Sequence, residues 1–182
     1  MTKEELLKEI SQTLFKIKAD KLASLLANID SFKQILELTF YPKKEIAFRA
    51  SWILETVYYK NPGAFLIHLD DFKSAYCRQK NLSCQRHFTK IMMDITLPNN
   101  EVFEQLANTN NFEAVTETTF TWLSDQKTPV AVQVNCLDIL YNLSGRYDWI
   151  KDELVFQTEF LLKNGSAAMQ SRGKRILSKL NV

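Results

Sequence analysis

Apolar residues recur along this chain at three- and four-residue intervals, the period of one face of an α-helix. Leu6, Leu7, Ile10, Leu14 and Ile17 share such a face, behind Thr2 and Glu5 in the arrangement of a capping box. A short second helix turns Leu22, Leu25 and Leu26 inward. Asp30 or Ser31 caps a third, with Phe32, Ile35, Leu36 and Leu38–Phe40 buried. It ends at Tyr41-Pro42, because proline disfavours the helical region for the residue before it. Lys43 or Lys44 opens a long helix that Asn61-Pro62-Gly63 closes. The spacing predicts further helices from Ala64 to about Tyr76 and from Leu82 to Ile95, the latter ended by Leu97-Pro98-Asn99-Asn100. Glu101–Ala107 and Phe112–Leu123 read as one helix broken by the polar run Asn108–Asn111. Thr128 then caps a helix with Pro129 at its first position, running to about Leu143. Asp148 caps another through Leu162, closed by Asn164-Gly165, and Ser166 caps the last.

One helical phrase returns. Ile46-Ala47-Phe48-Arg49-Ala50-Ser51-Trp52-Ile53-Leu54 is echoed by Met169-Gln170-Ser171-Arg172-Gly173-Lys174-Arg175-Ile176-Leu177, with weaker copies around Arg86 and Gln133. Taken as anchors, Arg49, Arg86, Gln133 and Arg172 are 37, 47 and 39 residues apart. The Asn-rich break accounts for the long middle step. Helix pairs of this length cannot each bury an apolar face alone, so neighbours must stack into one continuous core. The expected fold is all-α, a right-handed α-α superhelix of about ten helices. Residues 1–29 form N-terminal capping helices and 30–182 about four helix pairs, in a single domain.

Composition narrows the classes. With 182 residues and 46% hydrophobic content, the chain can bury one good core, and four Gly with four Pro offer little for an all-β fold. Charge interrupts every apolar stretch well before about eighteen residues, so no membrane-spanning helix is expected. Residues 1–15 read as an amphipathic helix, not a signal peptide. Cys77, Cys84 and Cys136 are odd in number and widely spaced, as reduced thiols of a cytoplasmic protein would be. A net charge of +2 gives no global argument for nucleic acid or anionic lipid.

The mid-helix Arg followed by small and aliphatic residues resembles HEAT or armadillo repeats. Departures are Gln133 at the third anchor, few prolines in the first helices, and Gly173 inside the last helix. Asp138–Leu143, Tyr147–Ile150 and Ser166–Ala168 look similar to small bacterial proteins of about this length, some of which carry the name adenylosuccinate lyase. That resemblance would imply a catalytic serine loop. Gly165, Ser166 and Met169 fit the loop pattern, but Ala167 stands at the catalytic serine and Gln170 at the following proline. A methyl group cannot take a proton. The same residues read naturally as helix stop, cap and helix start.

Other chemistry is thin. Cys84 and His87 are three apart on a helix with Cys77 nearby, but a closed zinc site needs a fourth ligand. His68 stands alone in an apolar helix. No metal, cofactor or catalytic set is expected. Arg172, Arg175 and Lys179 form one stripe of the last helix, readable as a contact for phosphate or an acidic partner, or as solvated cations at a helix C-terminus. Arg49 and Arg86 can pair across neighbouring repeats. Trp52 is expected in the core, whereas Trp122 and Trp149 sit near helix ends where an indole N–H stays wet. Trp122 with Asp125 is similar to the wall of HEAT-like DNA glycosylases, although the small net charge argues against a duplex-binding groove. The reading is a non-enzymatic module that binds a protein in the groove lined by the second helices. Its candidate contacts are Arg49, Arg86, Trp122, Trp149, Arg172, Arg175 and Lys179.

Overall fold

The computed structural model describes residues 2–12, 16–25, 29–98, 100 and 111–181, and the chain divides into two compact units, 1–91 and 92–182. Among the described residues the secondary structure is helical, with no strand.

The first unit holds α1 (Lys3–Gln12), α2 (Lys16–Leu25), α3 (Ile29–Leu38), α4 (Lys44–Lys60), α5 (Pro62–Phe65), a 3-10 turn (Leu66–His68), α6 (Leu69–Arg78) and most of α7 (Leu82–Ile95). The capping box forms: the Thr2 N–H donates to Glu5 Oε2 at 2.9 Å and the Glu5 N–H to Thr2 Oγ1 at 3.2 Å. Ile17 lies in α2; Leu14 and Leu26 lie outside the described residues. Asp30 and Ser31 lie inside α3 rather than before it. Phe40, expected inside, is 37% exposed, because the helix has ended and a turn closed by the Tyr41 N–H on the Leu38 carbonyl carries it outward.

Asn61 serves two helices. Its N–H closes α4 on the Val57 and Tyr58 carbonyls, and its side chain accepts the Ala64 N–H at 3.2 Å, with Pro62 opening α5. The 3-10 turn then interrupts what the spacing reads as one helix. The core between these elements is a chain of rings: Phe32, Phe65, Phe72 and Phe88 meet at centroid distances of 4.7, 5.1 and 5.2 Å, with Tyr58 on Phe65 at 4.9 Å. Each such pair adds about 0.5–1.5 kcal/mol beyond its buried area. The rings tie α3, α4, α5, α6 and α7 together.

The second unit starts with the end of α7 and continues through α8 (Glu113–Ser124), α9 (Val130–Leu143), α10 (Asp148–Leu162) and α11 (Ala167–Leu180). The expected segments Glu101–Ala107 and Asn108–Asn110 lie outside the described residues. α9 packs against α8, α10 and α11, which explains why Val132, Cys136, Leu137, Ile139, Leu140 and Leu143 are buried around it. Helix starts fall one residue from expectation. Pro129 itself is the N-cap of α9, extended at ψ 140° while its carbonyl accepts the Val132 and Gln133 N–H groups. Tyr147, not Asp148, precedes α10. Ser166 caps α11 as expected, accepting the Met169 N–H at 3.4 Å.

Two glycines set the α10–α11 junction. Gly165 has no positive φ; a Cβ there would meet the Leu161 carbonyl oxygen at 2.6 Å and Met169 Cγ at 2.8 Å. Space, not handedness, requires it. A Cβ on Gly173 would lie 3.0 Å from Leu162 Cδ2 and 3.1 Å from Thr158 Cγ2, so α11 rests tightly on α10.

Candidate functional site

Arg49 and Arg172 hold the same place, the sixth residue of α4 and of α11. Arg86 is the fifth residue of α7 and Gln133 the fourth of α9, so neither is their counterpart. The sixth places belong to His87 and Asn135. Arg49, His87 and Arg172 reach from that place across to a neighbouring element. Arg49 donates to the Ser11 carbonyl at the end of α1. His87, with Lys90 one turn on, grips Glu55 of α4: His87 Nδ1 bonds Oε2, and Lys90 Nζ lies 2.9 Å from Oε1. Arg172 and Arg175 grip Asp138 of α9 in the same way, Arg175 at 2.9 Å. Two basic side chains three residues apart thus hold one carboxylate in each unit.

The fourth place carries a second device. Gln85 Nε2 donates to the Gln79 carbonyl and Gln133 Nε2 to the Leu123 carbonyl, both at 3.1 Å, and Gln170 Nε2 donates to the Leu162 carbonyl. Each amide meets a carbonyl that the end of the preceding helix leaves without an intrahelical partner. Gln133 is therefore a member of this glutamine series rather than a replaced arginine.

Burial acts on Glu55 to raise its pKa, but hydrogen bonds and charge from His87 and Lys90 outweigh it and hold the carboxyl below its ordinary range. Desolvation, and then the neighbouring Arg175 charge, lower the Arg172 guanidinium. The rest of the C-terminal stripe is also engaged: Lys179 Nζ sits 4.8 Å from the Tyr141 ring centre. Arg172, Arg175 and Lys179 therefore converge on α9, through Asp138 and Tyr141 one turn apart.

The aromatic candidates separate. Trp122 is buried, at 7% exposure. Asp125 is exposed and its Oδ1 accepts the Lys127 N–H at 2.9 Å, so the two do not form a wall like that of the glycosylases. Trp149 is exposed on α10, its ring 5.7 Å from that of Phe120. Trp52, expected in the core, is only half-buried.

Trp52 belongs to a surface stripe that sequence reading missed. Phe48, Trp52, Glu55 and Tyr59 follow one another at spacings of four, three and four residues on α4, with Phe48 37% and Tyr59 49% exposed. Phe48 lies beside His87 at 5.2 Å, so the stripe adjoins α7, whose outward residues include Arg86 and Lys90. Arg86 is exposed; Arg49, by contrast, is half-buried on α1. The 48/52/59 spacing of rings was the available signal. On the first-helix side, a hollow of about 340 Å³ lies between α3 and α6, where Lys33 and Asp71 pair at 3.4 Å and Arg78 covers Phe40 at 5.1 Å.

The cysteine–histidine pair does not converge. The Cys84 thiol faces the Thr39 carbonyl at 3.9 Å, and burial, opposed by a hydrogen bond with Ser51, pushes its pKa up to about 11. His87 turns its Nδ1 to Glu55 instead. Among the described residues no three metal-ligating side chains cluster, and no helix is long and apolar enough to cross a membrane. The serine-loop stretch is the start of α11, with the Ser166 hydroxyl on the helix cap and Gln170 on the Leu162 carbonyl.

Comparison with known proteins identifies a family. The profile of the HEAT repeat domain matches residues 2–180, while no curated protein and no solved structure matches the chain. A match over nearly the whole length accords with second helices that repeat both a clamp and a carbonyl-capping glutamine. The chain belongs to the HEAT repeat domain family.

Proposed function

We propose that this protein is an interaction scaffold that binds a protein partner on the second helices of its repeats. HEAT repeat domains commonly serve as such scaffolds. The repeats we assign are α3 with α4, α5–α6 with α7, α8 with α9, and α10 with α11, behind α1 and α2 as the cap. The observation that carries the reading is the stripe Phe48–Trp52–Glu55–Tyr59 on α4, adjoining His87 and Lys90 of α7. Exposed Phe48 and Tyr59, with half-buried Trp52 between them, are aromatic side chains of the kind enriched at protein interfaces, and the Glu55 clamp ties their helix to α7. Free cysteines accord with a cytoplasmic setting. The lyase reading gains no support from a loop whose serine caps a helix.

A photo-crosslinking residue at Tyr59 tests the face against one at Ile67, which is 64% exposed on the 3-10 turn. Cross-linking of a cellular protein from position 59 and not from 67 is expected. Equal capture from both positions, or none from 59, would overturn the assignment.

A further inference from the structure

Beside the hollow between α3 and α6 opens a second one, of about 320 Å³, in the first unit. The turn after α3, the start of α4 and the turn between α6 and α7 meet there. Its floor is fixed by a side chain on backbone. Buried Gln79 donates to the Thr39 carbonyl at 3.3 Å and accepts the Asn81 N–H at 3.0 Å, which ties the α6–α7 turn to the end of α3. Lys44, Arg78 and Lys80 line the hollow, all three exposed, and no carboxylate of the described residues lines it. A cleft lined by charges of one sign focuses its field and draws in counter-ions. Arg78 is also held in place. Its guanidinium lies over the Phe40 ring at 5.1 Å, and its Nε donates to the Ser74 carbonyl at 3.3 Å, so the terminal amino groups are what its fork offers a ligand.

Phe40 and Arg78 line both hollows, so the two share a wall. Across it the charge changes: Glu37 and Asp71 line the α3–α6 side, where Asp71 pairs with Lys33 at 3.4 Å. We propose that the cationic hollow receives a single phosphoryl group carried on a segment of a partner protein, whose neighbouring residues run over Phe40 into the α3–α6 hollow. A phosphoryl group brings nearly two negative charges and three acceptor oxygens, which three cations and no acid match better than they match one carboxylate. The arginine fork takes two of those oxygens side by side, and the lysines act as point charges. Each hollow has the volume of a small ligand site, enough for a modified side chain and its neighbour. A nucleic-acid strand fits poorly, because its next phosphates would meet Glu37 and Asp71. The site is separate from the aromatic stripe of α4 and does not depend on it.

Two measurements on the full chain test this. In nitrogen–proton correlation spectra, phenyl phosphate should shift the amides of residues 39–44 and 78–81 and saturate. Shifts spread evenly over the surface lysines, or none, overturn the site. In the second, the immobilised protein is offered a peptide library with degenerate flanks around a central phosphoserine, serine or glutamate. Phosphoserine peptides should be retained at least about tenfold over the other two, and less as salt rises, since the cations are exposed. Arg78→Gln and Lys80→Gln are surface changes that should keep the wild-type thermal midpoint, and each should bring that preference close to parity. Lys151→Gln, exposed in the second unit, should leave it unchanged. Equal retention of the three libraries overturns the proposal, as does a preference that Arg78→Gln and Lys80→Gln leave intact. So does tighter retention of duplex DNA than of any phosphopeptide, which would give the hollow to nucleic acid.

Discussion

The Arg175 guanidinium donates to the Asp138 carboxylate at 2.9 Å, joining the ninth residue of α11 to the ninth of α9. Arg172 takes the other oxygen, and Lys179 lies over Tyr141 one turn further along. The cations that most resembled a ligand site thus fasten one repeat to the next. In the first unit His87 and Lys90 do the same to Glu55, and there the clamp leaves an aromatic stripe beside it on the surface.

Asp138→Asn should destabilise the protein by about 1–2 kcal/mol, less than the roughly 3–5 kcal/mol of a fully buried pair. The Arg175 side chain is 52% exposed and water screens it, whereas Arg172 is 31% exposed and already desolvated. Urea unfolding of Asp138→Asn, Arg172→Gln and the double variant should show strong coupling. Additive effects would mean that the clamp contributes nothing.

Two glycines should respond oppositely to alanine. A Cβ on Gly145 would have nothing within 4 Å, and its φ is not positive, so Gly145→Ala should stabilise by about 0.4–1 kcal/mol. Gly173→Ala gains about 1 kcal/mol of helix propensity, but its Cβ presses on Leu162 and Thr158. Overpacking costs about 1–3 kcal/mol, so the net change should be destabilising. Thermal midpoints of the two variants check both signs.

Acid should act partly through Glu55. Folding lowers its pKa, so the unfolded chain binds the proton more readily, and the stability it contributes is fully present above the ordinary carboxylate range. It is lost as pH falls through the folded value. Glu55→Gln should therefore lose stability at neutral pH and show a shallower further loss on acidification. Urea midpoints at a series of pH values from neutral to acid measure this directly.

The thiols should differ in reactivity. Cys84 is buried with its pKa pushed up to about 11, and burial pushes Cys136 up further, whereas Cys77 is half-buried. A thiol reagent at neutral pH should modify Cys77 in the native protein and the other two only after unfolding. Mass spectrometry of the labelled peptides reads the outcome.

Much of the helical architecture was legible because burial imposes a period: Leu82–Ile95 emerged with its observed bounds, and the echo of Arg49 in Arg172 marked true equivalents. Register inside the intervening helices was not legible by matching arginines. Arg86 lies one residue before His87 and Gln133 two before Asn135, so the matched residues do not even share a face with the true counterparts, and only the observed helix starts set the register. The series Gln85, Gln133, Gln170 was visible at a constant distance from each helix start, yet its role depends on where the preceding helix ends. Gly165 misled for a similar reason, since a glycine after a helix suggests a left-handed cap, while here a neighbouring Met169 leaves no room. The α4 stripe went unread because Trp52 and Phe48 are apolar, and periodicity does not tell a covered face from an open one.

Quantitative affinity capture from a native extract, with wild type and a Phe48→Asp/Tyr59→Asp variant as parallel baits, bears most directly on the scaffold reading. Both positions are exposed, so the variant should keep the wild-type fold and thermal midpoint. A scaffold that binds through this stripe should enrich a protein on the wild type and show it at least about tenfold depleted on the variant. The same proteins recovered equally on both baits, or none enriched on the wild type, would contradict that reading.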